Sequence, residues 1–226
     1  AVMGAERAAP ASHEGPSGLV RVGATEGFGT LILAPHLAQL TRKHPHLSID
    51  LLALPRMLHL SRREADIVIS LERPTRGSVI VSRLSDYSLY LYGQREYLAR
   101  KPLVATREDL RHHAFVSYVD DLLFTKELQF LDALHQPERF AFRSTSITAQ
   151  YEAVRAGAGL AVLPAFLADR DPVLTRVLPQ EGQFTRTFWM SMPSESKHLA
   201  RMQVTWAFLR ETVAAQQELL KPKAVR

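Results

Sequence analysis

Two runs of hydroxyl-bearing residues stand where an apolar, strand-like stretch gives way to a helical pattern. Ser144-Thr145-Ser146 precede an amphipathic stretch that ends at Ala156-Gly157 and leads at once into Leu160-Ala161-Val162-Leu163-Pro164. Ser or Thr at such a point accepts hydrogen bonds from the first free N–H groups of the helix, and glycine ends it. The second run follows an alternating stretch, Gly18 to Ala24, which passes into Thr25-Glu26-Gly27-Phe28-Gly29-Thr30 before a helical pattern begins at about Leu31. Helix N-termini carry unsatisfied N–H groups and a partial positive charge, so two of them facing one cleft favour a carboxylate or another anion.

Thr25, Ser144, Thr145 and Ser146 are therefore the first ligand-binding candidates, with plain helix capping as the competing role for the serines. Glu26 complicates an anion-only site, because a carboxylate beside a bound carboxylate repels it. It fits an amine instead, which extends the expected ligand from a carboxylate to an amino acid or a basic aromatic compound. Ser117 and Tyr118 end an apolar stretch, where an open α/β sheet presents ligand contacts, and Ser70 does so after Ile67-Val68-Ile69. The pair Asp120-Asp121 reads as solvated surface.

Other chemistries find no carrier. Gly23, Gly27 and Gly29 do not make the dinucleotide fingerprint, because the third small residue is replaced by Ile32 and Asp50 falls inside a strand. His44 and His46 flank Pro45, and His112 and His113 are adjacent, so no pair has zinc-helix spacing. No Gly-x-Ser-x-Gly elbow occurs and cysteine is absent, which removes thiol nucleophiles, disulfides and thiolate metal sites. No catalytic residue, metal or cofactor is expected, and the chain reads as a binding protein, not an enzyme.

The elements that must position these residues alternate in type. After β-like 18–24 come a helix over about 31–43, with Leu33, Leu37 and Leu40 on one face, a strand over 47–54, a short helical stretch around 57–64 and a strand over 65–70. Strands over 79–84 and 88–92 lead to a short helix at 95–100 and a strand over 115–119. A helix over 124–134 is predicted from Leu128, Leu131 and Leu134. A strand over 140–143, the capped helix over 147–156, strands over 160–163 and 186–192 and a long terminal helix over 197–220 complete the order. This implies an α/β protein of two doubly wound, Rossmann-like lobes, with crossings near Tyr92-Gly93 and Ser191-Met192 acting as a hinge. Lobe I takes residues 18–92 plus 193–220, and lobe II takes 93–192. Residues 1–17 read as a linker and 221–226 as a basic tail.

With 226 residues, 46% of them apolar, a sizeable core is feasible. No apolar run is long enough to span a bilayer and no apolar signal-peptide stretch is visible, so a cytoplasmic location with no membrane partner is expected. The net charge of +5 is scattered over pairs such as Arg42-Lys43 and Arg62-Arg63, which reads as solvated surface and not as a nucleic-acid track. The missing Met at position 1 leaves room for a segment upstream.

Taken together, Leu19-Val20-Arg21-Val22-Gly23-Ala24-Thr25, Leu33-Ala34-Pro35 through His44-Pro45, Glu64-Ala65-Asp66-Ile67-Val68-Ile69 and Ala153 through Pro164 resemble the effector-binding domain of LysR-type transcriptional regulators. That domain is similar to type 2 periplasmic binding proteins. The resemblance implies a small-molecule effector in the inter-lobe cleft, with a contact at Thr25. It also implies a homodimer or homotetramer, with the helices at 31–43 and 147–156 as candidate surfaces and burial inside the domain as the equal alternative for their apolar stripes, and DNA binding only through an N-terminal winged helix-turn-helix absent from this chain. The alternative on the same fold is the solute-binding protein of a transporter.

Overall fold

Val20, Val22 and Ala24 enter the core from β1 (Gly18–Thr25), while Leu19 and Arg21 remain outside, as the period of two requires. The computed structural model describes residues 15–56, 60 and 64–222, and the expected linker before 15, most of the helical stretch at 57–64 and the tail after 222 lie outside them. β1 pairs in parallel with β2 (Leu47–Leu54) on one side and β3 (Ile67–Ser70) on the other. Ile67, Val68 and Ile69 are all buried, as befits a parallel strand covered on both faces.

Between β1 and β2 the helical path starts at once, five residues earlier than expected. It comprises α1 (Glu26–Phe28), a wide π-helical turn (Gly29–Leu33) and α2 (Ala34–Lys43). The wide turn, closed by the Ala34 N–H on the Gly29 carbonyl, precedes Pro35, which lies in the first turn of α2 where its missing N–H costs nothing.

The expected strands over 79–84 and 88–92 are one strand, β4 (Val79–Gln94), interrupted by a register shift between Arg83 and Ser85. It runs antiparallel to β9 (Gln183–Pro193), longer than the 186–192 expected. β9 pairs with β3 through Trp189–Ser191, and β4 pairs with β7 (Ala161–Pro164) through Leu89–Tyr92 and with β8 (Leu174–Val177) through Leu91–Gln94. These two long strands thus join both ends of one seven-stranded sheet. β4 keeps β9 beside it from Val79 to Tyr90 and gains β7 on its other side from Leu89.

The second half contains α3 (Arg95–Ala99), β5 (Phe115–Ser117), which is shorter than expected, and its parallel partner β6 (Phe140–Arg143). The predicted helix over 124–134 is replaced by two single 3-10 turns, Lys126–Leu128 and Leu131–Ala133. Its leucines are still buried, but their spacing of three matches a three-residue turn and not an α-helix. α4 (Ile147–Arg155) has the expected position. It leads to β7 through Gly159, where a Cβ would stand 2.3 Å from the Ala114 carbonyl oxygen, so only glycine fits. α5 (Ala165–Ala168) and β8 had no sequence expectation. The terminal helix is α6 (Ala200–Ala215), packed on β1 and β4, followed by the separate turn α7 (Gln217–Leu220).

Candidate functional site

The strand ends and the starts of α1 and α4 meet around a cavity of about 450 Å³ of non-atom space, part of it open to solvent. Its floor is an aromatic column. Phe188 stacks on Phe28 at 4.1 Å and on Tyr87 at 4.3 Å between ring centroids, and Phe166 leans against Phe28 and Tyr87 from the side. Phe28 comes from α1, Tyr87 from β4, Phe166 from α5 and Phe188 from β9, so the two long strands and two short helices contribute one ring each. Such pairs add roughly 1 kcal/mol each beyond the area they bury.

Two junctions face each other across this floor. On one side Ser146 is a true N-cap of α4, its Oγ accepting from the Ala149 N–H at 3.0 Å, while the Ser144 Oγ accepts from the Ser146 N–H at 3.1 Å. On the other side Thr25 precedes α1 with extended backbone but makes no side-chain cap. Glu26 leaves the first junction and crosses to the second. Its carboxylate accepts from the Ser146 Oγ at 2.8 Å and from the Ile147 N–H at 3.0 Å. The two junctions approach closely at Gly27, where a Cβ would stand 3.0 Å from the Ile147 Cγ2. The anion expected at the start of α4 is present, and it is the chain's own side chain.

The eight residues singled out from sequence divide by position. Thr25, Glu26, Tyr118 and Thr145 line the cavity. Thr25 and Ser70 line a neighbouring cavity of about 350 Å³, where Ser70 Oγ donates to the Glu72 carbonyl at 2.7 Å and Thr125 Oγ1 donates to the Glu72 carboxylate at 2.5 Å. Ser117, Ser144 and Ser146 line neither. The Ser117 carbonyl accepts from the Ser144 N–H at 3.0 Å, so these residues hold the junction. Asp120 and Asp121 are exposed, with Asp120 3.6 Å from Arg143.

Four hydroxyls that line the larger cavity, on Thr25, Tyr87, Tyr118 and Thr145, have no hydrogen-bond partner among the described residues. Tyr87 is only 3% exposed as a residue, and it lines the cavity without its hydroxyl being one of the fully enclosed polar atoms that lack a partner. Burial pushes both phenols above their ordinary range, so each is a neutral O–H donor. Tyr87 and the other floor rings escaped the sequence reading because they are apolar-face residues of four distant elements. Among the described residues no group of three or more His, Cys, Asp or Glu is placed to hold a metal ion, and no helix is long and apolar enough to cross a membrane.

The sheet order, the shared long strands and the cavity at their strand ends agree with what sequence comparison finds. The LysR substrate binding domain family matches residues 13–214. The chain belongs to this family. Among similar curated proteins, the regulator CrgA of Neisseria meningitidis is 24% identical over 207 residues, 89% of this chain and 69% of that protein. The Mau operon transcriptional activator of Paracoccus denitrificans is 31% identical over 136 residues, 60% of this chain and 44% of that protein. An uncharacterised HTH-type transcriptional regulator of Haemophilus influenzae is 24% identical over 164 residues, of which the chain covers 56% of the relative's length. The chain thus spans between about half and two thirds of these relatives. The CrgA regulatory domain has the same fold, with a TM-score of 0.76 at 22% identity over 88% of this chain and all of that one. The effector domain of AmpR from Pseudomonas aeruginosa follows at 0.69 and 20% identity, over 88% of this chain and 97% of that one. Both place this LysR domain in the type 2 periplasmic-binding-protein-like α/β architecture.

Proposed function

We propose that this chain is the effector-sensing part of a cytoplasmic LysR-type transcription factor, and that a small molecule binds between the two junctions. The observation that carries the reading is the set of four unpartnered hydroxyls around one aromatic-floored cavity. Apolar surface and a few convergent polar groups are what a small-molecule site needs. The relatives named above are transcription regulators, which favours this reading over the solute-binding protein of a transporter.

In this reading residues 18–92 plus 193–220 and 93–192 form two lobes, with the hinge carried by β4 and β9. The register shift between Arg83 and Ser85 interrupts the β4–β9 ladder, and a broken ladder bends more readily than a continuous one. A ligand that binds the closed arrangement better shifts the balance by that difference in affinity alone. Homo-oligomers would transmit the change to an N-terminal winged helix-turn-helix outside these 226 residues.

A thermal-shift screen of small molecules on the native chain, Thr25→Ala and Tyr87→Phe tests the site. A compound that raises the native midpoint is expected to raise those of the two variants less. Equal shifts in all three would place the binding elsewhere.

A further inference from the structure

The start of α4 is suited to an anion, because a nine-residue helix directs its free N–H groups there. That position is occupied from within. Both carboxylate oxygens of Glu26 are engaged, one by the Ser146 hydroxyl and the other by the Ile147 N–H. An entering carboxylate would have to displace a covalently tethered competitor, and sharing the site would set two negative charges side by side. Against the same cavity stands a group that calls for a different ligand. Tyr87, nine-tenths buried and without a partner, and Tyr118 each offer a neutral O–H to a space walled by Phe28, Phe166 and Phe188. Those O–H groups suit a carbonyl oxygen, and the rings suit a flat apolar body.

We propose that Glu26 is a resident carboxylate that sets the specificity of this cavity, so that it takes an uncharged aromatic carbonyl compound and turns away free carboxylates. The inference rests on the reading of the cavity as the effector site and narrows its ligand class. Glu26 thereby acts by occupancy and by charge. Its occupancy denies the α4 amides to a ligand, and its charge raises the cost of a second anion nearby. An amine is the weaker fit, because the carboxylate that would receive it already accepts two strong donors.

Methyl benzoate and benzoate share one ring and differ in charge, so they make a matched pair of probes. Binding is measured by isothermal titration on the native chain, Glu26→Gln and Glu26→Ala, with the Ile147 amide followed by NMR to report the location. For benzoate, affinity is expected to rise in the order native, Glu26→Gln, Glu26→Ala, by roughly tenfold from first to last, the worth of one charge-assisted contact at a helix N-terminus. Benzoate should move the Ile147 amide in Glu26→Ala and leave it in place in the native chain. Methyl benzoate should bind the native chain and change less than about threefold across the three, since no charge-assisted contact is exchanged.

Glu26→Gln keeps one acceptor oxygen for Ser146 or Ile147, and it guards against a Glu26→Ala chain that fails to fold. Benzoate binding to the native chain as tightly as to the variants, with the Ile147 amide moving, would overturn the resident-carboxylate role and leave the cavity reading intact. Failure of both probes to bind all three proteins would count against both. Loss of methyl benzoate binding in Tyr87→Phe, with the Glu26 series flat for benzoate, would keep the cavity and reject Glu26 as its selector.

Discussion

The two strand-to-helix junctions look alike in sequence and differ in chemistry. Thr25-Glu26 and Ser144-Thr145-Ser146 both place hydroxyls ahead of a helix, yet only the second makes a cap, through Ser146 and the Ala149 N–H. The first is followed by a three-residue helix that widens into a π-turn, which leaves the Thr25 hydroxyl free and sends Glu26 outward. One junction supplies an anion-binding helix end and the other supplies the anion. A hydroxyl before a helix therefore says where a ligand can be met, and the neighbouring carboxylate says which ligand.

The largest way to break this comparison is to dislodge the second junction from behind. Gly159→Ala puts a methyl group against the Ala114 carbonyl, which is backbone and cannot turn aside. A loss of roughly 3 kcal/mol in urea unfolding is expected.

The junctions themselves should then respond unequally to the same kind of change. Ser146→Ala removes a cap and a donor to Glu26, and a loss of about 1–2 kcal/mol is expected. Thr25→Ala removes a hydroxyl with no protein partner, and the loss should stay below about 0.5 kcal/mol. Equal losses would erase the distinction between the junctions.

The smallest effect is a dependence on pH beside the second junction. His113 precedes Ala114, is buried, and has Nε2 3.1 Å from the Pro102 carbonyl while Nδ1 lacks a partner. Burial, against a partial offset from that carbonyl, holds the ring below the ordinary histidine range. A depressed value means that the folded state favours the neutral ring. Its contribution is complete above about pH 6.5, the ordinary value, and declines as pH falls below it toward the folded-state value. His113→Gln should therefore lose less stability than the native chain between neutral pH and pH 5, as read from midpoints in urea.

Much of the frame was legible because local signals and burial agree there. β2 spans the expected 47–54, and α4 starts one residue after its cap at Ser146. The stretch 124–134 misled because Leu128, Leu131 and Leu134 repeat every three residues, which signals a buried side without choosing between an α-helix and tighter turns. β4 read as two strands because Ser85 and Asp86 interrupt its apolar run, and those residues mark a register shift, not an end. The cavity floor was hidden for a different reason. Phe28, Tyr87, Phe166 and Phe188 are drawn together only by the sheet order, and the Glu26–Ser146 contact spans 120 residues of chain.

The contact between the junctions is the centre of this account, and a double-mutant cycle on Glu26→Ala and Ser146→Ala measures it most directly. A favourable coupling of about 1 kcal/mol or more in unfolding free energy is expected for a charged hydrogen bond across the cleft. Losses that add to within about 0.3 kcal/mol would contradict it and separate the two junctions.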